Sequence, residues 1–352
     1  MNCSISTTLQ ILLFLTVSVF AQGKVTKNFT VGGTTHNCNW YVPTGINKPP
    51  VVFFIHGANG SGNEFENTTK GNAVADKEMF IAVYPSASSS GAAGVWADMR
   101  NTGEFPFLLA VLDTLDKRYS IDRNRVYMTG FSQGGFISFV AGCKYSDIFA
   151  AIAPVSGHAG TGCTIKRPVS VFLTFGAQED KVSFVNDLNI WLKLDSCPSK
   201  PTITYPYPSS NPKSKVTRIT YGPCAQGTYV VMDSISGQGH MWPSTTNINQ
   251  AEETWAFFKQ FSLNSGTNVR KLASLTERNK VSVTFASGLL SVLGVDKDQR
   301  GIVDIVDIRG RLVSSVPIND GMIPFRNKPS GTYLVIVKRD NYQPVQFSVV
   351  VP

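Results

Sequence analysis

The chain has 352 residues, 42% of them hydrophobic and 16% charged, with a formal net charge of +8. That balance describes an ordinary globular chain with ample core, at a length where two domains are expected rather than one. Its six cysteines include no C-x-x-C pair, which argues against a zinc site, and no nucleic-acid-binding motif accompanies the positive charge.

Leu9 to Phe20 is one apolar stretch followed by Ala21-Gln22. It reads as a secretory signal, residues 1–21, too short to span a bilayer, which takes about 20 apolar residues. Val25–Val31 and Asn39–Val42 are candidate antiparallel edge strands. Six further strands are expected at Val51–Ile55, Phe80–Tyr84, Arg125–Thr129, Ala150–Val155, Val169–Phe175 and Thr228–Ile235. Helical patterns lie between them, clearest at Pro106–Arg118, Gly135–Gly142 and Gln250–Phe261. Continuous apolar strands alternating with amphipathic helices predict a mostly parallel sheet covered on both faces, an α/β domain over residues 22–261.

One motif inside this pattern carries chemistry. Gly130-Phe131-Ser132-Gln133-Gly134 follows a strand and opens a helix, the context of a nucleophile elbow in an α/β-hydrolase fold. Ser132 is the candidate nucleophile. In this fold the histidine comes last, after the acid. Of His36, His56, His158 and His240, only the last two follow Ser132. His158 comes too soon for an acid-bearing strand to intervene and reads as a loop histidine near the cleft. His240, on a glycine-rich loop beyond the last strand, is the candidate base. The acid belongs after the strand ending at Phe175, where Glu179 and Asp180 both qualify. The loop His56-Gly57-Ala58-Asn59-Gly60 follows the first buried strand. Ala58 and Gln133 are the candidate N–H donors of an oxyanion hole, with His56 fixing the loop. Trp96 and Trp242 are candidate substrate-stacking walls; burial in the core is the other reading of each.

These residues carry a resemblance. Val25 to Phe261 resembles the secreted polyhydroxybutyrate-depolymerase-like esterases, the carbohydrate esterase family 1 lineage that includes feruloyl and acetylxylan esterases. The matching pieces are His56-Gly57, Tyr119 to Tyr127, Gly130 to Gly135, Phe149 to Val155, and Gly239 to Pro243. The family places Gly-x-x-Asp ahead of a valine three residues later; Glu179 falls in that register before Val182, so the resemblance favours Glu179. It implies an extracellular serine esterase that needs no metal or organic cofactor. Feruloyl (hydroxycinnamoyl) esters of plant cell-wall xylan are the first expected substrate, acetylated xylan the second and polyhydroxyalkanoate the third. A carbohydrate-binding protein on an esterase scaffold is the non-enzymatic alternative; it has no need of the intact Ser132, His240 and acid loop.

In an exported chain disulfides are the default. Cys143–Cys163 would brace the active-site floor and Cys197–Cys224 would staple a proline- and serine-rich excursion, leaving Cys38 as a buried thiol. Asn28, Asn59 and Asn67 head glycosylation sequons. Residues 262–268 read as a linker. Residues 269–352 contain no Cys, His or Trp, and short alternating runs predict an all-β sandwich. It resembles the C-terminal sorting or basic terminal modules of secreted bacterial wall-degrading enzymes. Arg270, Lys271, Arg278, Lys280, Arg309, Arg311, Arg326, Lys328, Lys338 and Arg339 make it basic, suited to an anionic cell surface or glucuronate-bearing xylan.

Overall fold

Phe53 and Phe54 are adjacent, both buried, and turned to opposite faces of one sheet, because side chains alternate along a strand. Both faces therefore need a cover, and helices supply it. The structure is a computed structural model that describes residues 23–88, 94–160, 162–244, 247–263, 282–286, 289–293, 301–307, 312–318, 322–325, 328–339 and 345–351. The expected signal stretch 1–21, Cys3, residues 264–268 of the expected linker, and Arg270, Lys271, Arg278, Lys280, Arg309, Arg311 and Arg326 lie outside the described residues. The chain divides into two compact units, one ending at Val269 and one beginning at Arg270.

In chain order the first unit contains β1 (Gly23–Val31), β2 (Thr34–Val42), β3 (Val51–Ile55), α1 (Gly62–Thr69), α2 (Gly71–Glu78), β4 (Ile81–Pro85), α3 (Phe105–Tyr119) and β5 (Val126–Phe131). It continues with α4 (Gln133–Lys144), β6 (Ala151–Val155), β7 (Ser170–Gly176), α5 (Lys181–Leu194), β8 (Thr202–Tyr207), β9 (Val216–Tyr221), β10 (Val230–Ile235) and α6 (Gln250–Phe258). The ten strands form one sheet in the order β1-β2-β4-β3-β5-β6-β7-β10-β9-β8. The six central strands run parallel and antiparallel pairs close both edges. On one face Phe53, Met128 and Leu173 join Phe105, Leu108, Phe184 and Leu188 in the main core. On the other, Tyr127 stacks on Phe258 at 4.9 Å and Phe172 meets Phe257 at 5.5 Å. The arrangement is the α/β-hydrolase architecture.

Central strands stand within one or two residues of their sequence-based limits, as expected for runs of buried β-branched and aromatic side chains. Three helices and two strands have no counterpart among the expected elements, and β2 begins at Thr34, five residues before its expected start at Asn39. α1 is short, starts at Ser61, whose Oγ accepts the Glu64 N–H, and has little apolar periodicity to reveal it. α2 and α5 likewise escape notice. The proline-rich excursion bracketed by Cys197 and Cys224 is the hairpin β8–β9. Its prolines argue against a strand, yet β8 is the sheet's outermost strand, where a missing N–H is tolerated. Both expected disulfides, Cys143–Cys163 and Cys197–Cys224, are present and Cys38 is a buried thiol.

The second unit is two antiparallel sheets. One holds β11 (Ser282–Ala286), β12 (Leu289–Leu293) and β15 (Met322–Pro324); the other holds β13 (Gly301–Asp307), β14 (Leu312–Pro317), β16 (Gly331–Arg339) and β17 (Val345–Val351). Leu290 and Ile323 of the first share a core with Val303, Val335 and Val349 of the second. Among its described cations, Lys338 pairs with Asp304 at 2.6 Å and Lys328 lies over the Phe325 ring.

Candidate active site

Ser132 sits between the end of β5 and the start of α4 with φ 55° and ψ −115°, a conformation that L-residues hold only under constraint. The constraint is backbone crowding. A Cβ on Gly130 would lie 2.4 Å from the Gly134 oxygen, and one on Gly134 would lie 2.0 Å from the Ile55 oxygen. Only glycine fits at either place. Although Ser132 occupies the N-cap of α4, its hydroxyl makes no capping bond and is free for another partner. That partner is His240, whose Nε2 lies 2.9 Å from Ser132 Oγ.

His240 arrives on the loop after β10, and the turn after β7 meets that loop backbone to backbone. Ala177 N–H donates to the Ile235 carbonyl (2.9 Å) and Gln178 N–H to the Gln238 carbonyl (3.0 Å). The contact delivers Glu179, not its neighbour, to the ring: Glu179 Oε2 stands 2.5 Å from His240 Nδ1. The other carboxylate oxygen accepts from Ser156 Oγ (2.7 Å) and Gly176 N–H (2.8 Å). Asp180 turns the opposite way and caps α5, accepting from Val182 N–H, Ser183 N–H and Ser183 Oγ. The Ser183 hydrogen bonds hold its carboxyl below the usual aspartate range. Because a carboxylate only accepts, Nδ1 of His240 carries the proton and Nε2 presents its lone pair to the serine hydroxyl. The residues by themselves leave two acids open, the family register favours Glu179, and no motif marks Ser156.

On the far side of Ser132, the loop after β3 is held by His56. Its Nε2 accepts the Ala87 N–H at 3.0 Å, so Nδ1 bears the proton and donates to the Gly57 carbonyl at 2.6 Å. Burial pulls this imidazole below the ordinary histidine pKa, against a smaller opposing push from the Gly57 carbonyl. A neutral, doubly bonded ring is a clamp and has no lone pair left for a second base. Trp96 completes the clamp: its indole N–H donates to the His56 carbonyl (2.9 Å) and its backbone N–H to Gln133 Oε1 (3.1 Å). A Cβ on Gly57 would lie 3.2 Å from Ser132 Cβ, so the loop is packed against the elbow with Ala58 next in line.

Two expectations are corrected by burial. Trp96 is 1% exposed and offers no stacking face, since its ring is spent on the loop. Trp242 is 5% exposed and packs edge-on against Phe65, ring centroids 5.1 Å apart. Met241, next to His240 in the chain, is exposed, and the Phe131 ring packs against the imidazole at 4.8 Å. A cavity of about 390 Å³ adjoins the oxyanion-side loop, lined by uncharged polar residues including Asn37, Asn59, Ser61 and Ser86. Among the described residues no group of three His, Cys, Asp or Glu side chains is placed to hold a metal ion, and no helix is long and apolar enough to cross a membrane.

Residues 37–203 match the family model for the esterase PHB depolymerases. A bifunctional acetylxylan esterase/xylanase of Neocallimastix patriciarum is 29% identical over 237 residues, 66% of this chain and 34% of that protein. Feruloyl esterase B of Piromyces equi is 24% identical over 251 residues, covering 62% and 44%. Poly(3-hydroxyalkanoate) depolymerase C of Paucimonas lemoignei is 30% identical over 148 residues, covering 40% and 35%. The chain thus spans between a third and a half of the length of these relatives. Acetyl xylan esterase from Aspergillus awamori superimposes with a TM-score of 0.53 at 17% identity, covering 67% of this chain and 99% of that one, a likeness of fold.

Proposed function

We propose, for a chain whose residues 37–203 match the esterase PHB depolymerase family model, a secreted serine esterase that removes hydroxycinnamoyl groups from plant cell-wall xylan. The observation that carries this reading is the continuous hydrogen-bond chain from Ser132 Oγ through His240 to Glu179. Serine acyl transfer uses such a chain, whereas binding alone has no need of it.

The reaction has two steps. Ser132 Oγ attacks the ester carbonyl and gives its proton to His240 Nε2, while Glu179 stabilises the imidazolium. The N–H groups of Ala58 and Gln133 receive the developing oxyanion. His240 then protonates the leaving alcohol, and the same ring activates water to release the acid. The cavity beside the Ala58 loop offers Asn37, Asn59, Ser61 and Ser86 as neutral hydrogen-bonding groups suited to a sugar. The two disulfides agree with an oxidising compartment outside the cell. The basic second unit is assigned contact with an anionic surface or glycan, weakening as salt rises.

Acetylxylan esterase activity is the second reading, favoured by the similarity to the Neocallimastix enzyme. Purified full-length protein assayed on methyl ferulate, acetylated xylan, polyhydroxybutyrate and p-nitrophenyl acetate separates these cases. Release of ferulate is expected, falling by about 10⁴-fold or more in Ser132→Ala. Full turnover in that variant, or none on any ester in the wild type, sinks the proposal.

A further inference from the structure

His158, one of two histidines left unused by that chemistry, is built into a second histidine–carboxylate pair. Its Nδ1 lies 2.8 Å from Asp187 Oδ2, and Asp187 Oδ1 accepts the Ala159 N–H at 3.0 Å. Asp187, on α5, is only 5% exposed, so both of its oxygens are spent on the loop that carries His158. The imidazole lies against the Phe184 ring at 4.3 Å and meets Phe136 edge-on at 5.9 Å. Its side chain is 32% exposed, and no hydrogen bond engages Nε2 among the described residues. The pair adjoins the elbow. A Cβ on Gly157 would lie 2.6 Å from Gly135 Cα, and Phe136 N–H donates to the Ser132 carbonyl at 3.2 Å. Arg100 covers Phe136, its guanidinium 4.9 Å from the ring centre.

We propose that His158 reads the phenolic hydroxyl of a hydroxycinnamoyl group carried on Ser132, an assignment that rests on the hydrolase reading above. Asp187 accepts from Nδ1, so a neutral ring leaves Nε2 as a pure acceptor, and its complement is a hydroxyl donor. Phe184, 2% exposed and stacked on Phe175, only backs the imidazole; the partly exposed Phe136 ring, edge-on to His158, is the one that suits a planar aromatic acyl group rather than an aliphatic one. Gly157 packs on Gly135 in the first turn of α4, the helix that Ser132 opens, so the pair lies about one helical turn from the elbow, a reach that suits hydroxycinnamate better than acetate. Asp187 is then a positioning residue, fixing which ring nitrogen bears the proton.

Binding to full-length Ser132→Ala tests this without turnover, using methyl para-hydroxycinnamate, methyl cinnamate and methyl para-methoxycinnamate in titration calorimetry. The hydroxylated ester should bind about 10-fold tighter than the other two, the size of one good hydrogen bond. Adding His158→Phe should bring the ratio to about 1. Adding Asp187→Asn lets an amide donate to Nδ1 and moves the ring proton to Nε2, so the preference should shift toward the methoxy ester. A hydroxyl preference that is absent, or that survives His158→Phe, overturns the proposal, as does failure of all three esters to bind. Loss of the esterase reading shows separately, as absent wild-type turnover on methyl ferulate and acetylated xylan.

Discussion

Gly176 and Gln238 meet so closely that a Cβ on the glycine would stand 2.3 Å from the Gln238 carbonyl oxygen. This contact seats the turn bearing Glu179 against the loop bearing His240. Gly176→Ala must push the two apart, and a displacement of about 1 Å in a catalytic group costs roughly 100-fold in rate. A fall in kcat of that order, with KM changing far less, is the expected result of steady-state kinetics. Circular dichroism establishes that the variant remains folded.

The neighbouring acids Glu179 and Asp180 should behave as opposites. Glu179→Gln keeps the shape but not the charge facing His240 Nδ1, and kcat should drop by about 10³- to 10⁴-fold. Asp180→Asn replaces one good N-cap by another and should stay within about 3-fold of wild type. Equal losses in the two variants would overturn the assignment of Glu179 as the acid.

Trp96→Phe removes the indole N–H that satisfies the buried His56 carbonyl. An unmet buried acceptor costs about 1–3 kcal/mol, so thermal unfolding should move to lower temperature. The loop beside Ser132 also loosens, and kcat should fall by about 10-fold on small esters. A variant that loses binding alone would restore Trp96 as a substrate wall.

Asp195 gives the fold a pH dependence of definite sign. Burial raises its carboxyl from 3.8 to about 7, although the Val169 N–H and Arg167 pull the other way. Folded protein therefore holds a proton that the unfolded chain has released between those two values. The stabilisation is full below about 4 and is lost as pH climbs toward 7. Asp195→Asn mimics the protonated acid throughout. Urea unfolding should show the variant level with wild type at pH 4 and more stable, by a few kcal/mol, at pH 8. A constant difference across that range would exclude Asp195 as the source.

What the chain's order of residues determined by itself is local. Gly130 to Gly134 is contiguous, its glycines are demanded by crowding within a few residues, and the strand before it and helix after it are written in the same stretch. Apolar runs marked the central strands for the same reason, since burial on both faces leaves no polar position to blur the pattern.

Tertiary structure decided everything that depends on direction rather than sequence neighbourhood. Glu179 and Asp180 differ in sequence only by the family register that favours Glu179; which one meets His240, 61 residues away, follows from the backbone bonds between two loops. Trp96 and Trp242 have the composition of a stacking wall but are consumed by packing, against His56 and Phe65. His158 found a carboxylate 29 residues on, in a helix that weak periodicity had hidden. Strand and turn preferences are set by each residue's own sterics, whereas the partner of a side chain is set by the sum of all the packing around it.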